Sequence, residues 1–209
     1  MGAYEINTIK ILRNKTIREI KGLVLLKDLD DSFVIDLKYA TEDNFVRKAV
    51  YPVSICAIRT ETGEKLVRAN QIFKKKGYTI KVWDAYRPLH VQRLFYEAYP
   101  DPNFVAKPPE NPMISGFEPS HNNGMSVDIT LVDINGNEIE MPTEFDNFTD
   151  KAATNSLEMT ENARKNVNYL IEVMESVGFK NYEGEWWHFN DVMETPLPYL
   201  DIPLQAFIE

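Results

Sequence analysis

The chain has 209 residues, 44% hydrophobic and 26% charged, the balance of a globular domain rather than of a disordered segment. Its 32 acidic residues outnumber 23 basic ones, for a net charge of -9, which argues against nucleic acid as the main partner because phosphate binding needs a basic surface. Cys56 is the only cysteine, so no internal disulfide can form, and no run of about 18 apolar residues marks a membrane span.

The opening MGAYEINTIKILRNKTIREI alternates charged and apolar residues and lacks the apolar stretch of a signal peptide. Gly2 does not begin a myristoylation motif, because Ile6 stands where that motif needs Ser or Thr. Together these features predict a cytoplasmic protein. FVIDL (33–37) and TIKVWD (79–84) read as strands. Between them, Leu66, Ala69, Ile72 and Phe73 recur at helical spacing, with Gly77 as a stop. LHVQRLFYEAY (89–99) predicts a second helix, closed by Pro100. Six prolines between positions 100 and 119 predict an extended surface loop, a candidate wall for a cleft. MSVDITLVD predicts a strand, followed through an Asn135-Gly136 turn by a returning strand over 138–141. A third helix is predicted after Thr160 as N-cap, with Ala163, Val167, Leu170, Ile171, Met174 and Val177 on one face and Gly178 as its stop. EWWHF (185–189) closes the series as a short aromatic strand.

Helices and strands alternate without regular βαβ units, which predicts an α+β fold: one domain over 1–209, a central antiparallel sheet flanked by helices. Residues 1–30 and 191–209 are expected to be peripheral extensions, with Tyr199 and Phe207 as exposed aromatics available to an interface.

Three histidines occur in the chain, and two of them stand beside carboxylates. In SHNNGMSVDITL, His121 precedes an Asn122-Asn123-Gly124 turn and Asp128 follows in the strand; both side chains are zinc ligand types. The same pair also suits a hydrogen-bonded, capped turn. In EWWHF, His188 is a candidate third ligand, which leaves a fourth position open to water, and Glu185 is a candidate general base for that water. A strictly pleated strand would point residues 185 and 188 to opposite faces, so Glu185 is expected at the strand entry, where Glu183-Gly184 bends the backbone. Trp186, Trp187 and Phe189 suit a core equally well. In WDAYRPLH, Pro88 forces Arg87 into extended geometry at a strand end, where a guanidinium can meet an oxyanion or a substrate carboxylate. His90 has no acidic partner at ligand spacing and reads as structural.

These pieces resemble the zinc D-alanyl-D-alanine dipeptidases of peptidase family M15, the branch of the D-Ala peptidases that includes the vancomycin-resistance dipeptidase. That family carries S-x-H-x-x-G-x-A-x-D and E-x-W-H, met here by His121, Gly124 and Asp128 and by Glu185, Trp187 and His188. Arg87 corresponds to the arginine of the family's YRP element, and DLKYATEDNF (36–45) and FDNFTDKAA (145–153) extend the likeness over roughly residues 30 to 190. Two positions depart: Pro119 replaces the motif serine, with Ser120 beside it, and Ser126 replaces the motif alanine. Neither is a metal position, but the first bears on substrate preference.

The resemblance implies a D-Ala peptidase (Hedgehog-like) zinc fold with one Zn2+ on His121, Asp128 and His188. It implies Glu185 as general base and Arg87 as oxyanion donor. Asp146 is then the carboxylate that meets a dipeptide's ammonium, with Ser120, Tyr39 and Asp43 as further substrate-binding residues. The implied reaction is hydrolysis of D-Ala-D-Ala, with a small dipeptide as partner and neither nucleic acid nor membrane. The same chemistry serves glycopeptide resistance, wall recycling or D-alanine use. A peptidoglycan D,D- or L,D-carboxypeptidase with the same zinc site, and a zinc-stabilised muropeptide-binding module without turnover, are the alternatives.

Overall fold

The computed structural model describes residues 7–12, 15–110, 118–193 and 197–208. The expectations for residues 1–6 and for positions 111–117 of the proline-rich stretch lie outside them. In chain order the elements are strands β1 (Asn7–Leu12), β2 (Lys15–Ile20) and β3 (Leu23–Leu25), helix α1 (Leu26–Leu29), β4 (Val34–Ile35), β5 (Ala57–Arg59), helix α2 (Thr60–Lys74), β6 (Thr79–Asp84), helix α3 (Leu89–Ala98), β7 (Ser126–Val132), helix α4 (Glu161–Ser176), β8 (Phe179–Tyr182) and β9 (Glu185–Asp191).

The five-stranded sheet has the order β4-β6-β7-β9-β8, antiparallel except for the short parallel β4–β6 pair. The fold is α+β in one domain, as the element pattern predicts. A second, four-stranded sheet of order β1-β2-β3-β5 was not legible in the sequence. It turns from β2 to β3 through Lys21 and Gly22, both at positive φ (49° and 82°), the turn geometry that right-twisted hairpin strands demand.

All seven residues of β7 are buried, because β6 and β9 flank it and helices cover the sheet. Helix α2 turns Leu66, Ala69 and Phe73 into the core against β6, and α4 turns Val167, Leu170 and Met174 inward against β8 and α2. The Thr160 hydroxyl caps α4 by accepting from the Ala163 amide at 3.1 Å, as the sequence predicts.

Two predicted strands shrink. Of FVIDL only Val34–Ile35 pairs, at the sheet edge. The Asn135-Gly136 turn forms, but the returning segment makes no full strand: it has a Val132–Glu138 bridge, an Asn137 carbonyl accepting from the Asp133 amide at 2.8 Å and an Ile139 N–H to Leu131 carbonyl bond of 3.0 Å.

Both terminal segments feed the core. Ile17, Ile20, Leu23 and Val24 are buried at one end of the chain, and Ile202, Leu204 and Phe207 at the other. The Tyr86 hydroxyl accepts from the Ile202 amide at 2.7 Å, and the Asn122 carbonyl accepts from the Leu200 amide at 2.7 Å. Phe207 is 5% exposed, which corrects its expected place on the surface. Tyr199 is half-buried and lines the central cavity. Phe207→Ala is therefore expected to cost about 3–5 kcal/mol of unfolding free energy, read from the urea midpoint. An unchanged midpoint would make the C-terminal segment an appendage.

Candidate active site

Three neighbouring strands carry the centre of the site. Register places Asp84 of β6 opposite Asp128 of β7, and Asp128 opposite His188 of β9, so the three form a row across the sheet. His121 joins this row from the turn that leads into β7. A capping box shapes that turn: the Ser120 hydroxyl accepts from the Asn122 amide and the Asn123 side chain accepts from the Ser120 amide. Gly124 closes it at φ 75°, where a Cβ would meet Leu23 at 2.5 Å and the Arg59 amide nitrogen at 3.0 Å, so no larger residue fits. The turn is stitched to the arginine segment, because the His121 carbonyl accepts from the Arg87 backbone amide at 3.0 Å and the Asn122 side-chain Nδ2 donates to the Arg87 carbonyl at 2.8 Å.

The donor atoms of His121, Asp128 and His188 all lie within 4.8 Å of one another. His121 Nε2 lies 3.3 Å from Asp128 Oδ2 and 3.2 Å from His188 Nδ1, which in turn lies 2.9 Å from Asp128 Oδ1. A tetrahedral ion with bonds of about 2.0–2.1 Å needs ligand atoms about 3.4 Å apart. The donor set thus fits a single cation with almost no movement. The Ala85 carbonyl accepts from His121 Nδ1 at 2.7 Å, which fixes that proton and leaves Nε2 facing the cluster. Burial acts to raise the Asp128 carboxyl, but the two imidazoles outweigh it and hold the group well below the usual range.

Glu185 and His188 both line the cavity, so strict pleating does not hold between them. Glu185 is the first residue of β9, as expected, but the break is not at Glu183-Gly184. Pairing runs regularly from Phe179↔Asp191 to Asn181↔Phe189 and then jumps to Tyr182↔Glu185. The three residues left over form a bulge, and both Trp186 and Trp187 are buried in succession. The Asn181 side-chain amide donates to the carbonyls of Glu185, Trp186 and His188 at 3.0–3.4 Å and holds the bulge open. Burial, reinforced by the charges of Asp128 and Asp146, lifts the Glu185 carboxyl to about 7 against the opposing pull of His188 and Arg87.

Arg87 is clamped from two sides. Asp84 Oδ2 accepts from its Nε at 2.9 Å and from Nη2 at 2.7 Å, and Gln92 Oε1 accepts from Nη1 at 2.8 Å. Asp84 Oδ1 is itself fixed by the Tyr51 hydroxyl at 2.7 Å and the Ala85 amide at 3.0 Å. The guanidinium lies 4.8 Å from the Phe95 ring centre and 5.3 Å from that of Tyr39. Two of its five N–H groups make no hydrogen bond among the described residues, and Nη2 lies 3.8 Å from Asp128 Oδ2. The Gln92 amide also donates to the Ala106 carbonyl at 2.8 Å, which ties the clamp to loop residues 102–106, one wall of the cavity, as the proline-rich segment predicts.

Asp146 sits at positive φ (57°) in a turn between Phe145, packed on Trp83 and Trp187, and Phe148, packed on Phe45 and Phe104. Its Oδ1 accepts from the Tyr39 hydroxyl at 3.0 Å, while its buried Oδ2 has no partner among the described residues. Burial raises this carboxyl to about 7; the Asp128 charge adds to the rise, and Tyr39 and Arg87 oppose it. Ser120 and Tyr39 also line the cavity. Asp43 does not: it stands exposed at the adjoining depression, paired to Lys38 at 2.8 Å. His90 is likewise remote, with Nδ1 2.6 Å from Asp201.

Sequence reasoning missed Asp84, Gln92 and Asn181. Asp84 carried a signal, an acid three residues before Arg87 at the end of a strand. Asn181 carried none, since its partners are backbone carbonyls created by the bulge.

A cation held by these three residues would keep a face towards the cavity, the arrangement of catalytic rather than structural centres. Comparison with known proteins gives the class, a metallopeptidase. The Peptidase M15 model, described as D-ala-D-ala dipeptidase, matches residues 19–205, and the chain belongs to that family. It is 30% identical over 185 residues to the D-alanyl-D-alanine dipeptidase of Escherichia coli K12, covering 88% of this chain and 90% of that one. Against the D-alanyl-D-alanine dipeptidase of Enterococcus faecalis V583 the identity is 32% over 194 residues, 85% of this chain and 94% of that one. Among solved structures, the LdcB LD-carboxypeptidase superposes with a TM-score of 0.44 at 16% identity, over 92% of this chain and 87% of that one. Among the described residues, no helix is long and apolar enough to cross a membrane.

Two outcomes follow from these environments. Asp84→Ala strands a buried guanidinium and is expected to cost about 3–5 kcal/mol in urea unfolding, whereas Asp43→Ala leaves the midpoint unchanged. For Asp146 the folded pKa is raised, so its stability contribution is complete below the unfolded value near 3.8 and is lost as pH rises to about 7. Asp146→Asn should therefore stabilise the metal-free protein by an amount that grows from pH 4 to 7, reaches about 2–4 kcal/mol, and then levels off. A gain that is constant with pH would show that this carboxyl is not raised.

Proposed function

We propose that this chain is a zinc-dependent dipeptidase of the cytoplasm that hydrolyses free D-Ala-D-Ala, or a close relative, to two D-amino acids. The observation that carries the reading is the unpartnered Oδ2 of Asp146, buried in the same cavity as the three-ligand cluster. A buried carboxylate oxygen with nothing to accept from is costly, and an ammonium group satisfies it. A dipeptide brings such an ammonium, whereas an acylated peptide brings a neutral amide at that place, which the pocket disfavours. The cavity, about 320 Å³, is of the size that holds a small ligand.

His121 Nε2, Asp128 and His188 Nδ1 are the atoms that would hold the zinc. Bound there, zinc supplies a Lewis acid and lowers the pKa of a water to about 7. Glu185, whose own pKa lies in the same range, accepts the proton of the attacking water and returns it to the leaving amine. To the oxygen that gains charge in the tetrahedral transition state, Arg87 offers the N–H groups that make no hydrogen bond among the described residues; Asp84 and Gln92 hold it rigid, so little reorganisation is needed. Asp146 and Tyr39 orient the amino end of the substrate. Pro119 and Ser120 line the cavity where the family motif places its serine, and they bear on which residue is preferred.

The test is release of D-alanine by the purified protein, zinc-loaded against chelated. D-Ala-D-Ala should be cut only with zinc, N-acetyl-D-Ala-D-Ala should not be cut, and Glu185→Gln should lower turnover by about 10²–10⁴. Comparable cleavage of the acetylated peptide would make the enzyme a carboxypeptidase. Failure of the zinc-loaded protein to cut either peptide would remove the D-Ala-D-Ala assignment.

A further inference from the structure

His188 can serve the cluster only through Nδ1, the nitrogen that lies 2.9 Å from Asp128 and 3.2 Å from His121. Its single proton must then sit on Nε2, which lies 3.0 Å from Asn190 Oδ1. Asn190 follows two residues later on β9 and so shares the face of His188. Its Oδ1 also accepts from the Ser126 hydroxyl at 2.6 Å. Ser126 is fully buried and stands opposite Asn190 in the β7–β9 register, two steps from the Asp128–His188 pair.

We propose that Asn190, anchored by Ser126, is a positioning residue for His188. Its side-chain oxygen holds the Nε2 proton and thereby keeps Nδ1 unprotonated and aimed at the centre formed with Asp128 and His121. The backbone carbonyl of Ala85 does the same for His121, so the two imidazoles are fixed in opposite tautomers by different means: one by main chain, the other by a side-chain relay. The amide of Asn190 has no second role in the proposed chemistry. This inference rests on the zinc reading given above.

The experiment measures zinc affinity of the metal-free full chain by competition with a chromophoric chelator, for wild type, Asn190→Leu, Asn190→Asp and Ser126→Ala. Asn190→Leu is expected to bind zinc about 10–100-fold more weakly. Ser126→Ala, which loses one neutral hydrogen bond, should weaken it about fivefold. Asn190→Asp keeps an accepting oxygen and should bind at least as tightly as wild type. In the zinc-loaded wild type the Nε2 proton of His188 should give a slowly exchanging imidazole resonance by NMR, and this protection should be lost in Asn190→Leu. Thermal melts of the metal-free forms separate this from general damage: Ser126→Ala and Asn190→Asp should melt close to wild type. If Asn190→Leu does not fold, those two variants decide the matter. Wild type that binds no zinc overturns the zinc reading and this inference together. Wild type that binds zinc while the Leu and Ala variants bind it equally well, or while Asp and Leu lose affinity alike, overturns the relay and leaves the zinc reading standing.

Discussion

Cross-strand register between β6, β7 and β9 is the constraint on which the site rests. It sets Asp84, Asp128 and His188 in one row, and each of the three then recruits a partner from a loop or helix. A slip of β7 by one residue would turn Asp128 to the opposite face and leave both imidazoles without their carboxylate. What opposes the slip is the alternation within a strand buried on both faces: a shift by one would move Val127, Ile129 and Leu131 among the polar groups and Ser126, Asp128 and Thr130 into the apolar core.

The electrostatics of the cavity follow from the same row. Asp84, Asp128, Asp146 and Glu185 gather around a single guanidinium, Arg87, which is spent mainly on Asp84. Burial first, and the neighbouring carboxylates after it, lift Asp146 and Glu185 to about 7, against the opposing pull of Arg87 on both and of His188 on Glu185. In physical terms the cavity gathers more carboxylates than cations, and on the function proposed above a divalent ion at His121, Asp128 and His188 and an ammonium at Asp146 would balance them. Lowering of the Asp128 pKa shows the contrasting case, a buried acid whose two imidazole neighbours already favour its charged form.

The three long helices and the three-ligand cluster were readable because their signals are local. Helical periodicity with Thr160 as cap and Gly77 and Gly178 as stops needs only neighbours in the chain, and α2, α3 and α4 form where those signals stand. His121 and Asp128 lie seven residues apart around a turn, and His188 stands out in a chain with few histidines. Less was readable where two segments compete or cooperate. The returning segment after Asn135-Gly136 forms no full strand, and the segments at both ends, expected to be peripheral, put Ile17 and Leu23, and Ile202 and Phe207, into the core.

By itself the sequence determined the chemistry on offer: which side chains are of metal-binding type, which carboxylate can take a proton, and which arginine follows a strand, although that strand ends at Asp84 rather than at Arg87 as expected. Only the tertiary structure decided which of them meet. Glu185 and His188 share a cavity because a bulge held by Asn181 breaks the pleat between them, and Arg87 is rigid because Asp84 and Gln92 close on it while Asp43 stays outside. The reason is physical. Ligand type and helix period are properties of residues and their near neighbours, whereas register, bulges and burial are set by strands that find one another across the whole chain, and nothing in the local sequence records that pairing.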